Sequence, residues 1–326
     1  MRPRAEPTAE EEEGLPIASD PIPSGPMDAG VRIELLRRAG GIAGAALDLG
    51  AGLIKPGVSL LSVAEAVEGF IATQGGHIGF PVNIAIDDQA AHYTPLAGEE
   101  TTFESGQVVK LDVGVHVNGF IGDTARTIEV GTRNRTELLR ASRDALAVAI
   151  ETIRPGVTLG AVGTAIGQCI TDAGYQPVAN LTGHSVERYN LHAGLSVPNV
   201  NDRNTTVVRP GMVFAIEPFA TDGFGRVEGR KPSNIYRLRR KTFRFEGAER
   251  TLLAWVADHH GSLPFAMRYL EGVVASPRRT ITTLVNKGAI SSYPILWEVE
   301  GGMVSQHEHT MLIGANGAEV LTEPRP

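Results

Sequence analysis

A repeat within the chain constrains its fold more than any other feature. Residues 55–76 (KPGVSLLSVAEAVEGFIATQGG) align without a gap to residues 154–175 (RPGVTLGAVGTAIGQCITDAGY), with eight identical positions. A second pair agrees with the first, because GQVVKLDV at 106–113 aligns to GMVFAIEP at 211–218. The first pair has the apolar spacing of a helix behind a turn, and the second has the apolar run of a buried strand. The sequence therefore predicts an α/β (α+β) body made of two related halves, with a site between them.

The segment that precedes this body has a different composition. Residues 1–26 contain six acidic residues, two basic residues and six prolines, so they carry four of the seven net negative charges of the protein. They show almost no apolar periodicity, and we interpret them as a flexible acidic arm. Such an arm could contact a basic partner, but a solvated tail is the favoured interpretation. The folded body is predicted to span residues 27–326 and to open with a helix from Asp28 to Leu53.

One long segment of the body lies outside the repeat. Residues 221–292 have no counterpart in the first half. We interpret them as a helical insertion subdomain, placed before the final strands at 296–299 and 308–313. Its three predicted helices cover residues 249–259, 264–274 and 280–287.

Composition excludes several classes of protein. With one cysteine, Cys169, the chain is not a disulfide scaffold, and a net charge of −7 excludes a strongly basic nucleic-acid-binding protein. The longest apolar run, 145–150, is too short to span a membrane, and residues 1–14 lack the apolar stretch of a signal peptide. We therefore predict a cytoplasmic protein with no membrane and no specific nucleic-acid partner. The basic run at 236–244 could touch a ribosome, but a solvated loop is the simpler interpretation.

A predicted hairpin brings two carboxylates together. Asn118-Gly119 stands between two extended runs in LDVGVHVNGFIGDTARTIEV (111–130), which is a strong signal for a two-residue turn. Closing the turn there pairs Gly114 with Asp123, so that Asp112 and Asp123 become diagonal neighbours on one face, roughly 7 Å apart. Two carboxylates that converge in an apolar body would share a proton or bind a cation. Taken alone, the pattern also fits two exposed hairpin acids.

Three further segments favour the cation. His184 lies in a glycine-flanked segment, Glu217 ends a buried apolar run, and Glu308 stands between two histidines at the start of another apolar strand. A buried glutamate is rare unless it is paired or binds a metal. Two aspartates, two glutamates and a histidine form an oxygen-rich set that suits paired divalent ions of Mn, Fe or Co, and also Zn.

These residues, in this order, carry a family resemblance. With AAHYTP (90–95) upstream and SQHEHT (305–310) near the end, the chain from residue 27 onward resembles a type 2 methionine aminopeptidase of the archaeal kind. The resemblance implies the pseudo-twofold pita-bread fold, and it identifies the insertion with the helical subdomain of type 2 enzymes. It also implies a cytoplasmic, monomeric enzyme that removes the initiator methionine from nascent polypeptides with a small second residue.

The resemblance further implies the roles of individual residues. Two divalent ions (Co, Mn, Fe or Zn) would hold a bridging hydroxide that attacks the first peptide bond, and Glu217 would also move the proton to the leaving amine. Asp112 would chelate one ion, while Asp123 and Glu308 would bridge both. His92 and His192 would act beside the scissile bond, where either imidazole could donate a hydrogen bond to the oxyanion. The metal ligands implied are Asp112, Asp123, His184, Glu217 and Glu308.

The substrate side chain is also assigned by resemblance. Phe80, Leu191 and Tyr293 align with residues that line the methionine pocket, together with His92 and His192, and an apolar pocket suits a thioether. For Phe80, Leu191 and Tyr293 a plain role in the core is an open alternative.

Two other functions share this fold. A prolidase or Xaa-Pro aminopeptidase has the same ligand types, but such enzymes carry a substantial N-terminal domain and lack the long insertion. A non-enzymatic binding protein on the same scaffold would lose metal ligands, whereas this chain keeps all five. The sequence therefore favours the methionine aminopeptidase.

Overall fold

A computed structural model describes residues 28–239 and 245–323. The predicted acidic arm at 1–26 and most of the basic run at 236–244 therefore lie outside the described residues. Within the described ranges, no helix combines the length and the apolar character that crossing a lipid bilayer requires.

The first half of the molecule is an antiparallel sheet with two helices packed on one face. The helix predicted from Asp28 is confirmed, and the Asp28 carboxylate caps it by accepting hydrogen bonds from the first-turn amides. This helix packs close to the sheet because glycines meet at the contact: a Cβ added to Gly122 would lie 2.7 Å from the Gly40 Cα. The elements, in chain order, are α1 (Ala29–Leu53), α2 (Leu60–Thr73), β1 (His77–Ile86), β2 (Gln89–Ala91), β3 (Val108–Val117) and β4 (Phe120–Glu129).

The sheet of this half has the strand order β1-β3-β4. Strand β2 does not belong to this sheet, because it pairs with a strand of the insertion. Apolar side chains of α1, α2 and the inner face of β3 form one buried cluster beneath the sheet.

The second half repeats the arrangement. Helices α3 and α4 cover a sheet whose three middle strands carry or flank His184, Glu217 and Glu308. The elements are α3 (Thr136–Thr152), α4 (Leu159–Asp172), β5 (Gln176–Pro177), β6 (Thr182–Ser185), β7 (Ser196–Pro198), β8 (Val213–Ile216) and β9 (Phe219–Thr221).

The rest of the chain forms the insertion and returns to the second sheet. The elements are β10 (Val227–Leu238), α5 (Gly247–His259), β11 (Phe265–Ala266), α6 (Pro277–Asn286), β12 (Ile290–Glu298), β13 (Val304–Gln306), β14 (His309–Ile313) and β15 (Ala318–Val320). A short 3-10 helix, Met267–Leu270, follows β11. The second sheet has the order β15-β14-β8-β6-β7, and the insertion strands form a separate sheet ordered β11-β10-β12-β2.

The backbone confirms the repeat seen in the sequence. The turn before α2 places Gly57 at φ 82°, and the turn before α4 places Gly156 at φ 91°, a region that glycine enters without steric cost. Gly57 N–H donates to the Phe103 carbonyl, and Gly156 N–H donates to the Val208 carbonyl, which is the matching position of the second half. The two halves are therefore related in hydrogen bonding as well as in sequence.

The secondary structure predicted for the insertion is partly wrong. Helices near 249–259 and 280–287 are present as α5 and α6, but residues 264–274 form no α-helix and contain only the short 3-10 helix Met267–Leu270. Phe265 and Ala266 instead pair with β10, so that an available strand edge overrides the helix-like spacing. The strand predicted at 296–299 begins earlier, at Ile290, because it pairs along most of β10. The insertion is thus a mixed unit of sheet and helix, and its treatment as a subdomain stays a prediction.

Candidate metal centre

The hairpin register predicted from Asn118-Gly119 is confirmed. Strands β3 and β4 pair Gly114 with Asp123 and Asp112 with Ala125. The side chains of Asp112 and Asp123 therefore share one face of the sheet, which is the face turned toward the second half. Asp123 is buried, and only 3% of its surface is exposed.

The second half brings the other predicted ligands to the same place. Glu217 directly follows β8, and Glu308 directly precedes β14, which is antiparallel to β8. His184 pairs with Ala215 on the other side of β8. All three residues thus lie near one end of adjacent strands.

Backbone contacts lock the two halves together at this point. Glu308 N–H donates to the Ala125 carbonyl at 2.9 Å, and the Thr124 hydroxyl donates to the Glu308 carbonyl at 2.8 Å. One residue pair further, the Thr310 hydroxyl accepts from the Asp123 amide and donates to the Asp123 carbonyl, both at 2.8 Å. These bonds fix the carboxylates of Asp123 and Glu308 relative to each other.

The predicted site residues surround a single cavity of about 490 Å³ that opens to solvent. All ten residues that the sequence singled out lie on its wall. The others on the wall, which sequence reasoning missed, are Asn83, Ala91, Ile235, Pro264 and Gln306. The lining residues predicted from the sequence are Phe80, His92, Asp112, Asp123, His184, Leu191, His192, Glu217, Tyr293 and Glu308.

The polar end of the cavity is chemically suited to a cation. The His184 Nε2 atom lies 3.5 Å from a carboxylate oxygen of Asp123 and 3.5 Å from one of Glu217. Ligand atoms of Asp123, His184 and Glu308 lie within 4.8 Å of one another. Buried oxygens of Asp112, Asp123 and Glu308 have no hydrogen-bond partner among the described residues. Buried acceptors without donors are costly, and a divalent ion would satisfy them.

The charges at this site support the same interpretation. Burial, reinforced by the neighbouring carboxylates, raises the pKa of Asp123, Glu217 and Glu308 well above the usual range, and burial raises the pKa of Asp112 to about 7. Burial lowers the pKa of His184 to about 4. His184 is therefore neutral at neutral pH, and its short contacts with the acids are not an ion pair. A neutral imidazole and ionised carboxylates are the forms that bind metals.

These shifts predict a stability difference between the metal-free and the metal-loaded protein. In the unfolded chain the acids titrate near their ordinary pKa of about 4. Because the folded pKa values are raised, the stability they contribute is fully present below that value and is lost as the pH rises through the folded values, near 7 for Asp112. We expect the Tm of the metal-free protein to fall by at least about 5 °C between about pH 5 and about pH 8. Bound divalent ions should remove most of that fall, and thermal scans with and without metal measure it. Equal pH profiles for both forms would contradict the proposed clustering of the acids.

His92 also lines the cavity, and its backbone has an unusual conformation. Its φ of 67° lies in the left-handed region, which few residues other than glycine adopt. Its Nδ1 atom lies 3.2 Å from the Pro294 carbonyl oxygen, and the ring meets Tyr293 edge-on. Burial lowers the pKa of His92 to about 4, so the ring is neutral. Since a carbonyl only accepts, Nδ1 carries the proton and Nε2 carries a lone pair.

This tautomer bears on one expectation from the sequence, that His92 could donate a hydrogen bond to the oxyanion. While a neutral His92 donates through Nδ1 to Pro294, its Nε2 has no proton to donate. Its free nitrogen is a hydrogen-bond acceptor, and suits a substrate N–H. His192 is not restricted in this way: its ring packs on the His184 ring with centroids 4.3 Å apart, and burial lowers its pKa to about 3.

The remaining wall of the cavity is apolar. Phe80 lies on β1 opposite Gly114 of β3, and a Cβ at position 114 would fall 2.2 Å from the Phe80 ring. Gly114 is therefore required for the ring to lie against the strand that carries Asp112. Leu191 and Phe80 belong to the same buried cluster. The sequence assigned both to a pocket or to the core, and the structure places them in both, since they are buried and line the cavity.

Two polar residues on the wall escaped the sequence argument. Gln306 stands two residues before Glu308, and its amide nitrogen lies 3.4 Å from carboxylate oxygens of Glu217 and Glu308. Its spacing from Glu308 would have placed both side chains on one strand face, so a signal was available. Asn83 lies opposite Asp112 across β1 and β3, with a buried oxygen that has no partner among the described residues. No local sequence pattern predicts that Asn83 pairs with Asp112.

Comparison with known proteins agrees with the site. Residues 34–313 match metallopeptidase family M24. A methionine aminopeptidase of the archaeon Thermococcus kodakarensis is 45% identical over 293 residues, which cover 89% of this chain and 99% of that protein. The solved structure of a methionine aminopeptidase from Thermotoga maritima aligns with a TM-score of 0.67 at 26% identity and covers 91% of this chain and 98% of that one.

A third protein shares the fold more distantly. The prolidase from Pyrococcus furiosus aligns with a TM-score of 0.59 at 20% identity, over 91% of this chain but only 65% of the prolidase. At that identity the likeness concerns the fold alone. The two related halves, the convergent acids and the family match lead to one conclusion: this chain has the pita-bread fold and belongs to metallopeptidase family M24.

Proposed function

We propose that the protein is a metal-dependent methionine aminopeptidase, which removes the N-terminal methionine from peptides and nascent polypeptides with a small second residue. The observation that carries the proposal is one cavity whose wall combines four carboxyl groups and His184 with the apolar side chains of Phe80, Leu191 and Ile235. Nearly full-length similarity to the methionine aminopeptidase of Thermococcus kodakarensis supports it.

The proposed ligands are the five residues at the polar end of the cavity. Two divalent ions, of Co, Mn, Fe or Zn, would balance the negative charge of these converging acids. When bound, such ions lower the pKa of a coordinated water into the neutral range and polarise a carbonyl. The full proposed set is Asp112, Asp123, His184, Glu217 and Glu308.

The residues around this set supply binding and proton transfer. Glu217, buried beside the other acids, would accept a proton and pass it to the leaving amine. The Nε2 lone pair of His92 is suited to accept a hydrogen bond from a substrate N–H, and His192 to donate one to the carbonyl oxygen that becomes negative. A free α-amino group would be attracted by the acids, which accounts for cleavage at the chain end only.

The apolar wall is the proposed pocket for the methionine side chain. Phe80, Leu191 and Tyr293 line it together with Ile235 from the insertion. Their surfaces are apolar and adaptable, which suits an unbranched thioether. The length of the pocket beyond the acids would set the preference for methionine.

A substrate comparison tests the proposal directly. Metal-reconstituted protein is offered Met-Ala-Ser and an Ala-Pro peptide, and the released residue is identified by mass spectrometry. We expect release of methionine alone. Cleavage confined to the proline peptide would favour the prolidase alternative, and no turnover of either peptide despite bound metal would favour a binding protein.

The proline-directed alternative is the weaker one for a structural reason. About a third of the Pyrococcus furiosus prolidase has no match in this chain, whereas the Thermococcus methionine aminopeptidase is matched over 99% of its length. Transient ribosome contact, a monomeric state and a cytoplasmic location stay predictions from the sequence.

A further inference from the structure

A buried polar network joins the insertion to the two chain segments that contribute Phe80, Asn83 and His92 to the cavity wall. Arg268, in the 3-10 helix of the insertion, ion-pairs with Glu68 of α2, and both side chains are almost fully buried. The Tyr269 hydroxyl donates to the same glutamate oxygen at 2.5 Å. The network lies outside the cavity, because none of these three residues is on its wall.

The network closes into a ring through two residues of the catalytic body. The Val82 amide donates to the Glu68 carboxylate at 3.1 Å, and Glu68 also accepts from Arg268. Arg268 in turn donates to the Thr94 hydroxyl at 2.6 Å, and that hydroxyl donates to the Val82 carbonyl at 2.7 Å. Each group in the ring thus has a defined direction of donation, which fixes the geometry as well as the contact.

Val82 and Thr94, the two residues that close the ring, lie close to residues of the site in the chain. Val82 lies between Phe80 and Asn83 on β1, and Thr94 lies two residues after His92. The Arg268 guanidinium also donates to the Pro95 carbonyl at 3.1 Å. The insertion therefore holds the chain at Thr94 and Pro95, two and three residues after His92, whose φ is 67°. A strained conformation persists only where its surroundings determine it.

Stability alone does not account for the ion pair. Removing an arginine and a glutamate from water is expensive, and a buried pair is often no more stabilising than apolar residues of similar size. What the pair does provide is orientation, since a planar guanidinium donates in fixed directions both to Glu68 of α2 and to the Thr94–Pro95 segment. The arrangement fits a device for placing the cavity wall.

We propose that Arg268 and Glu68, acting through Thr94, are positioning residues that hold His92 and the Phe80–Asn83 segment in the geometry the reaction needs. The insertion then contributes to catalysis through a residue that never touches the substrate. The turnover part of this inference rests on the proposed function, whereas the part that concerns the orientation of the His92 ring does not.

The test compares Thr94→Val, which removes the hydroxyl at nearly constant shape, with Thr94→Ser, which keeps it. Arg268→Met removes the guanidinium, and Arg140→Met, which removes an exposed pair with Glu137, is the matched control. NMR of ¹⁵N-labelled histidine follows the His92 Nδ1–H that donates to Pro294, with the signal assigned by its loss in His92→Asn. The kcat and KM for Met-Ala-Ser are measured on the same samples.

We expect Thr94→Val and Arg268→Met to shift or broaden the His92 signal and to lower kcat/KM by about 100-fold, the cost of a misplacement of about 1 Å in an active site. Thr94→Ser should restore both quantities, and Arg140→Met should change neither. A His92 signal that is unchanged in Thr94→Val would overturn the inference, whatever the effect on Tm. If Arg268→Met does not fold, the threonine pair alone decides. Absence of methionine release by the unmodified protein would reject the proposed function and would leave the NMR comparison intact.

Discussion

Replacing Glu308 by alanine is expected to abolish methionine release and to lower the content of bound divalent metal. Glu308 is 2% exposed, and one of its oxygens has no partner among the described residues, so the side chain is available to a cation and to little else. Residues that only orient a metal ligand cost 10- to 100-fold in activity when removed, so loss of a proposed bridging ligand should lower kcat/KM by at least about 100-fold. Metal content by plasma mass spectrometry and turnover of Met-Ala-Ser measure the two effects.

The same substitution has an effect on stability that separates it from misfolding. Burial beside other acids raises the pKa of Glu308, and its removal relieves repulsion among the remaining carboxyl groups. The metal-free variant should therefore be at least as stable at neutral pH as the metal-free parent. Glu151→Gln, which changes an exposed glutamate of α3, is the matched control and should alter neither metal content nor activity. A Glu308→Ala protein that retains metal and turnover would contradict the assignment.

Replacing His92 by asparagine should reduce turnover while leaving metal binding intact. Asparagine tolerates the left-handed backbone that position 92 adopts, so the fold should survive the change. The substitution removes the Nε2 lone pair that the Pro294 contact leaves free. Loss of one preorganised hydrogen-bonding group in a water-excluded site costs about 10²- to 10³-fold in kcat. Steady-state kinetics at saturating metal measure it.

Two outcomes would argue against this role for His92. A kcat within a few-fold of the parent would show that no essential hydrogen bond had been lost. A fall in metal content equal to the fall in kcat would place His92 among the metal ligands instead, whereas the structure sets its ring against Tyr293 and Pro294.

The parts of the fold and site that follow short-range rules could be predicted from the sequence. The two-residue turn at Asn118-Gly119 fixes every pair of the β3–β4 hairpin, because side chains alternate with a period of two. The repeat matches Asp112 of the first half to Glu217 of the second, and both line the same cavity. All ten residues singled out in advance lie around that cavity, but Phe80, His92, Leu191, His192 and Tyr293 were assigned by family resemblance rather than by short-range rules.

The parts that were missed depend on contacts between distant segments. Asn83 faces Asp112 because β1 pairs with β3, and the bulged register of that pair cannot be read from either strand alone. Residues 264–274 lost their predicted helix to the free edge of β10. Arg268 and Glu68 are 200 positions apart in the chain, and each looks like an ordinary surface charge until the fold buries them together.

The central claim is that the acids of the two halves and His184 form one dinuclear metal centre. Anomalous diffraction from crystals grown with Mn²⁺ tests it most directly, since it locates the ions without reference to activity. We expect two anomalous peaks between Asp123 and Glu308. One peak should lie beside Asp112, and the other beside His184 and Glu217. Ions bound elsewhere, or none among these five residues at saturating Mn²⁺, would contradict it.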